Sequence, residues 1–190
     1  PAQRSLDYPG APDVAVLICT YDRAALLDRV LRSLNRCDLP SGARVGFFVV
    51  ANAWSDNTTS YLAQYVSAGE AGREALEESQ AARLPLRWIE DPVPGKSHAL
   101  NLSIPIAVAP VIAFVDDDHR VDSGYLRAVL EAALEHPECD LFCGRILPDW
   151  DGTEPAWAHD EGEYRIYPLP VPRFDLGPDA MTVEPGTATP

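Results

Sequence analysis

Apolar runs alternate along this chain with segments whose apolar residues recur at helical spacing. Val14-Ala15-Val16-Leu17-Ile18-Cys19 is continuously apolar, the pattern of a strand buried on both faces in a parallel sheet. Leu26, Leu27, Val30, Leu31 and Leu34 then mark one helical face, with Asp22 placed to cap it. Val45 to Val50 reads as a second strand. Ser55 or Asp56 can cap the next helix, which carries Tyr61, Leu62, Tyr65 and Val66. Gly69 to Arg83 is rich in Ala and Glu without a strong apolar face, as expected of a solvated helix or an insertion. Leu84 to Ile89 predicts a third strand, and Ser97 caps a helix through Asn101 that Pro105 must kink or end. Val111 to Val115 is the fourth strand. Asp122 caps a helix with Tyr125, Leu126, Val129, Leu130, Ala133 and Leu134 in register, closed by Pro137, and Asp140 to Leu147 reads as a fifth strand.

This β-α-β order predicts an α/β protein, a Rossmann-like three-layer α/β/α arrangement with a mostly parallel central sheet. Residues 1–12 read as an N-terminal extension and 13–147 as the core. From Pro148 the periodicity stops, and 148–190 is irregular and rich in proline, glycine, tryptophan and acids. The final Pro-Gly-Thr-Ala-Thr-Pro supplies no closing element, so this last region is expected to be part of an incomplete domain.

Charge narrows the range of functions. The 190 residues carry 29 acids against 15 bases, a net charge of −14, which argues against a general nucleic-acid footprint. It does not argue against a nucleotide, since a metal can supply local positive charge. Cys19, Cys37, Cys139 and Cys143 include no second pair at zinc spacing and are expected to be reduced, mostly buried thiols in a cytosolic setting. Pro1 to Pro12 lacks the basic start and apolar middle of a signal peptide. The longest uncharged apolar run, Ile104 to Val115, has two prolines and is too short to span a bilayer. Membrane association is therefore expected only through parts outside this segment, with a cytoplasmic location that admits a peripheral position at the membrane face.

The chemistry concentrates where strands end. In an open α/β sheet, ligands bind beyond the carboxyl ends of the strands. Thr20-Tyr21-Asp22-Arg23, Asn52-Ala53-Trp54-Ser55-Asp56 and Asp116-Asp117-Asp118-His119 fall at such ends, and Pro94-Gly95-Lys96-Ser97-His98 opens a helix. Three consecutive carboxylates are hard oxygen ligands suited to Mg²⁺ or Mn²⁺, and alternation at a strand end would point Asp116 and Asp118 to the same side. A lysine and a helix N-terminus suit phosphate. Singly, each cluster has a plain alternative: Asp22 and Asp56 as helix caps, Arg23 and Lys96 as solvated charges. Their convergence on one rim favours a site.

With these pieces in place the chain resembles the inverting family 2 glycosyltransferases, which have the GT-A fold. The matching pieces are VAVLICTYDR at 14–23, FFVVANAWSDNTT at 47–59, GKSHALN at 95–101 and IAFVDDDHRVDSGYL at 112–126, in the family's order. FCGRILPDW and EPAWA also look like the family's downstream strand and tryptophan loop. The resemblance implies that Thr20, Tyr21 and Arg23 lie on a loop contacting the donor's nucleotide, with Asp22 replacing the asparagine often seen there. Asn52 and Asp56 fall on the second nucleotide-contacting loop, and Lys96 and Asn101 on the stretch lining the donor pocket. Asp116 and Asp118 take the two acidic positions of the D-x-D motif, Asp118 as the direct metal ligand and Asp116 at the ribose, a metal-bound water or the metal; Asp117 joins the donor-binding set. Ala51 stands where many members carry a base-reading acid, so a uridine donor does not follow. Trp54 is bulky where a small polar residue is common, and His119 reads as a hydrogen-bonding residue at the pocket rim ahead of a metal ligand.

The implied function is metal-dependent transfer, with inversion, of a sugar from a nucleotide-diphosphate donor to an acceptor hydroxyl. The cofactor is Mn²⁺ or Mg²⁺, and the acceptor a saccharide, lipid-linked or small molecule bound on the side of residues 148–190. In the family the catalytic base lies well downstream of D-x-D, and no convincing match occurs before Pro190, so it is expected beyond that residue. Asp151, Glu154, Asp160, Glu161 and Asp175 are the available acids, and the segment alone is expected to bind donor with little or no transfer. The alternatives are a degenerate or truncated nucleotide-sugar-binding domain and, further off, a Mg²⁺-dependent phosphohydrolase. A P-loop at Gly95-Lys96-Ser97 fails because Glu90 stands where its first glycine is required.

Overall fold

Why the strands stack as they do follows from their alternation. In the computed structural model, which describes residues 11–74, 84–158 and 173–183, β1 (Val14–Thr20), β2 (Val45–Asn52), β3 (Leu86–Asp91) and β4 (Val111–Phe114) form one sheet in the order β3-β2-β1-β4. Every pairing is parallel, in register Val14↔Val45, Val14↔Val111 and Phe47↔Leu86. Along β1, Val14, Val16 and Ile18 point to one face while Ala15 and Leu17 point to the other, and all five are buried. Both faces must therefore be covered, which is the condition that favours parallel strands.

The first face is covered by α1 (Ala24–Leu34), α2 (Thr58–Glu74) and α4 (Tyr125–Glu135) through Leu27, Val30, Leu31, Leu34, Leu62, Tyr65 and Leu126. Ala99 of α3 (Lys96–Ser103), together with Ala107, packs on the second face against Ala15, Leu17, Phe48, Val50 and Ile89. Helices thus lie on both sides of a parallel sheet, the three-layer α/β/α arrangement expected. Burying each of the fully enclosed leucines contributes about 1.5–3 kcal/mol.

Several local expectations are corrected. Asp140–Leu147 is not a fifth strand; among the described residues the only pairing there is an isolated antiparallel bridge between Ile146 and Phe174, with backbone bonds of 2.7 and 2.8 Å. An apolar run alone does not make a strand without a partner to pair with. Strand β3 runs two residues later than its apolar pattern, ending on Asp91 because Asn52 of β2 pairs there. Asp22 does not cap α1, whose N-cap position is Arg23. Ser97 does not cap α3: Gly95 takes that position at φ 138°, a conformation closed to side chains with a Cβ. The stretch 69–83 continues α2 as far as Glu74, and 75–83 lies outside the described residues.

The chain divides into two compact units, Pro1–Pro137 and Glu138–Pro190. In the second, Asp175 accepts hydrogen bonds from Arg145 and Arg173 beside the Ile146–Phe174 bridge. A single 3₁₀ turn, Ala156–Ala158, follows Pro155. Among the described residues no helix is long and apolar enough to cross a membrane. All four cysteines are free, but only Cys19 and Cys37 are partly buried. Cys139 and Cys143 are exposed, which corrects the expectation of mostly buried thiols.

Candidate functional site at the carboxyl rim of the sheet

Two loops at the carboxyl ends of β1 and β2 are built around residues that turn left-handed without being glycine, Asp22 (φ 50°) and Ala53 (φ 44°). Such conformations are held only where the surroundings over-determine them. Here the Asp22 carboxylate accepts the backbone N–H and the hydroxyl (2.7 Å) of Ser55 and the N–H of Asp56 (3.1 Å). Asp56 in turn accepts from the N–H of Ala24 at 3.1 Å and from Thr58 N–H and Oγ1 at 2.9 and 2.5 Å. Asp22 and Asp56 therefore lock the first loop to the second.

Asn52 and Asp91 do the same one strand further out. Asn52 is 4% exposed; its Nδ2 donates to the Asp91 carboxylate at 2.9 Å and to the Val93 carbonyl at 2.6 Å, and its Oδ1 accepts the Gly95 N–H at 2.9 Å. Asp91, 2% exposed, also meets His98 Nδ1 at 2.9 Å and accepts the Val93 N–H at 3.1 Å. This network fixes the start of α3, and hence Lys96.

The acidic cluster sits just past β4 in a turn closed by the His119 N–H donating to the Asp116 carbonyl at 3.1 Å. The turn brings Asp116, Asp118 and His119 together, rather than strand alternation. One ligand atom from each lies within 4.8 Å of the others. Asp117 points inward, 5% exposed, and Arg23 Nη1 donates to Asp117 and Asp118, both at 3.2 Å. Arg29 donates to the Asp118 carbonyl at 2.6 Å, and Lys96 Nζ reaches Asp116 at 2.5 Å. The mutual repulsion of the three carboxylates is thus relieved by the protein's own cations. The side chains of Arg23, Lys96, Asp116 and Asp118 are each about half exposed, and such ion pairs contribute little, so an arriving divalent ion can compete for the carboxylates. Two carboxylates and an imidazole within one coordination span fit Mn²⁺ or Mg²⁺ as a donor set.

Electrostatics tie the pieces to one rim. Burial pushes the Cys19 thiol up to about 11; Lys96 opposes that, while Asp117, Asp116 and Asp91 add to it. All four charges are therefore felt at Cys19, near the end of β1. Asp22 is held below the usual carboxylate range by the Ser55 N–H and hydroxyl. For Asp56, burial pulls upward, but the bonds from Thr58 and Ala24 outweigh it and the net shift is downward.

Of the residues singled out by sequence, Arg23, Lys96, Asp116, Asp117 and Asp118 are joined by direct contacts. Tyr21 is 58% exposed, and Thr20 is buried at the end of β1 with no hydrogen-bond partner for its Oγ1 among the described residues. Asn52 and Asp56 hold the loops, and Asn101 is exposed on α3 with no hydrogen bond to the cluster among the described residues. Sequence reasoning passed over Asp91 because the apolar pattern of β3 ends at Ile89, and over Arg29 because it reads as an exposed position of α1. Of the candidate acids for proton abstraction, Asp175 is held down at about 2 by Arg145, the Gly177 N–H and Arg173, and Asp151 is lowered by Thr153. Both are poorly suited to take a proton near neutral pH. Glu154 accepts from Asp151 and Gly152 N–H groups, while Asp160 and Glu161 lie outside the described residues.

An acidic turn, a lysine and an arginine thus gather at the carboxyl rim of a parallel α/β domain, where ligands bind in such sheets. The chain belongs to Glycosyl transferase family 2, whose family model matches residues 15–188. It is 25% identical over 154 residues to the succinoglycan biosynthesis protein ExoM of Rhizobium meliloti (strain 1021), covering 80% of this chain and 44% of that protein. The fold is similar to S. aureus TarS 1-349 in complex with UDP, with TM-score 0.52 and 20% identity over 66% of this chain and 33% of that one. TarS 1-349 in complex with UDP-GlcNAc gives TM-score 0.50 and 22% identity over 66% of this chain and 32% of that one. The chain thus spans less than half the length of these relatives.

Proposed function

We propose that this chain forms the donor-binding part of a metal-dependent inverting glycosyltransferase, which moves a sugar from a nucleoside-diphosphate donor to an acceptor hydroxyl. The observation that carries the reading is the convergence of Asp116, Asp118 and His119 within 4.8 Å on a rim that also presents Lys96 and Arg23. Asp118 and Asp116, with His119, would hold Mn²⁺ or Mg²⁺, which when bound supplies charge stabilisation to a departing diphosphate.

The chain's own residues supply the rest. Lys96, beside Asp116, and Arg23, held by Asp117 and Asp118, are placed to bind diphosphate oxygens. Tyr21 offers an exposed aromatic face to the nucleoside, and Asp22, Asn52 and Asp56 hold the loops in place by the bonds described. Thr20, Asn101 and Asp117 complete the donor set, Asp117 by fixing Arg23. The acceptor is a saccharide, a lipid-linked sugar or a small molecule, and Asp151 and Asp175, both lowered by their own neighbours, are weak bases for taking its proton. Similarity to the succinoglycan biosynthesis protein ExoM supports polysaccharide biosynthesis as the setting, with the reaction in the cytoplasm or at the cytoplasmic membrane face. The complexes of TarS with UDP and UDP-GlcNAc support a nucleotide-sugar donor.

A second reading, a nucleotide-sugar-binding domain without transfer, is favoured by one observation: Asp151 and Asp175 are both lowered by their own neighbours, which weakens each as a base. Calorimetry of UDP, GDP and TDP, with and without Mn²⁺, on wild type and Asp118→Ala tests the donor site common to both readings. Metal-dependent binding lost in the variant is expected; no nucleotide binding by the folded wild type would refute both. Release of a free sugar or a glycosylated acceptor from the bound donor then separates transfer from binding alone.

A further inference from the structure

His98 is bound on one side only. Its Nδ1 lies 2.9 Å from Asp91 Oδ2, while Nε2 has no partner among the described residues and the side chain is 45% exposed. The Asp91 carboxylate, buried and already accepting from Asn52 Nδ2 and the Val93 N–H, has only acceptor capacity to offer. It therefore places the imidazole proton on Nδ1 and leaves the Nε2 lone pair as the free polar atom. In its neutral form the ring presents an acceptor at Nε2, oriented by the Nδ1 contact with Asp91.

Where that acceptor stands decides what it can meet. Asp91 ends β3 and the acidic turn follows β4, and in the order β3-β2-β1-β4 three strand spacings separate them. At about 4.8 Å per spacing that is roughly 14 Å along the rim. A donor whose diphosphate sits at the turn after β4 and whose nucleoside runs along the rim over β1 reaches the ends of β2 and β3. On that side Ala51 offers no polar side chain, and the Asn52 and Asp91 side chains are buried and committed to each other. His98 is two residues along α3 from Lys96, which already reaches Asp116. Beside the end of β3 it is an exposed group with a ring nitrogen to spare, held in place through Asp91.

We propose that His98 reads the donor's base, accepting a hydrogen bond from an imino N–H through Nε2, with Asp91 as the positioning residue that fixes its tautomer. This rests on the proposed nucleoside-diphosphate site. Uracil, thymine and guanine carry an imino N–H on their pairing edge; neutral cytosine and adenine do not. The site is then selective for UDP, TDP or GDP donors over CDP or ADP.

The test is calorimetric binding, in the presence of Mn²⁺, of UDP, GDP, TDP, CDP, ADP and inorganic pyrophosphate to wild type and His98→Ala, with folding checked by circular dichroism. The expected result is a wild-type preference for an imino-bearing nucleotide. In His98→Ala that nucleotide is weakened about five- to tenfold, as for loss of one hydrogen bond, with CDP and pyrophosphate unchanged. His98→Gln, which can present an amide oxygen, should recover part of the loss. A wild-type preference for CDP or ADP would overturn the proposal, as would equal weakening of every ligand including pyrophosphate, or no change in His98→Ala. Failure of wild type to bind any nucleotide or pyrophosphate would instead count against the donor site itself, and so against this proposal with it.

Discussion

Asp56 caps a helix to which it does not belong. Its Oδ2 accepts the N–H of Ala24, the first residue of α1, at 3.1 Å, while its Oδ1 accepts from Thr58 at the start of α2. One carboxylate thus satisfies orphan donors at two helix starts and pins the loop after β1 to the loop after β2. Asp56→Ala should cost about 1 kcal/mol of stability, in the range of a lost cap, read from urea unfolding. Asp56→Asn, which keeps an acceptor oxygen, should recover part of it.

The pH dependence of this brace has a definite sign. Asp22 and Asp56 both titrate below the ordinary carboxylate value in the folded chain. Their stabilisation is then complete above the unfolded value of about 4 and is lost as pH falls through the lowered folded values. The double variant Asp22→Asn, Asp56→Asn should therefore show a flatter loss of stability between about pH 5 and pH 2 than wild type does. Parallel curves for the two proteins would show that the two carboxylates carry no such linkage.

Asn52 ties together the Asp91 carboxylate, the Val93 carbonyl and the Gly95 N–H. Asn52→Ala should destabilise by about 1–3 kcal/mol and weaken nucleotide binding, because the Gly95 turn that sets Lys96 is released. Asn52→Asp should be worse than alanine, since it sets a second carboxylate against buried Asp91. Denaturant midpoints for the two variants check the order.

The thiols should separate sharply by reactivity. Cys19, pushed up to about 11 by burial, and Cys37, also raised by burial, should react slowly with a disulfide reagent at about pH 8. Cys139 and Cys143 are exposed and should react first, as mapped by mass spectrometry of partially labelled protein. Equal labelling of all four in the native state would contradict the burial of the first pair.

Much of the architecture was legible because parallel strands buried on both faces leave long apolar runs. Val14–Cys19 and Val45–Val50 are short, β-branched-rich runs of strand length, and Leu27, Val30, Leu31 and Leu34 gave α1 its inward face. What the sequence hid were relationships made only by pairing and turning. Asp91 joins the site because β3 pairs with Asn52 of β2, two residues past the end of its apolar pattern. Asp22 looks like a local cap, yet its left-handed backbone aims it at Ser55 across the rim. Asp116 and Asp118 do meet, but for a different reason than strand alternation: a turn closed by His119 brings them together, and it draws His119 in with them. The run at 140–147 looks like β1 or β2 but finds no strand partner among the described residues beyond one bridge.

The central claim is that Asp116, Asp118 and His119 hold a divalent cation that tethers a nucleoside diphosphate. Its most direct test is titration of Mn²⁺ into wild type and Asp118→Ala, with and without UDP or GDP, following free Mn²⁺ by electron paramagnetic resonance. We predict that wild type binds one Mn²⁺ per chain, more tightly when the preferred nucleotide is present, and that Asp118→Ala loses both the binding and the coupling. Mn²⁺ binding that is equal in the two proteins, or unaffected by any nucleotide, would contradict the claim.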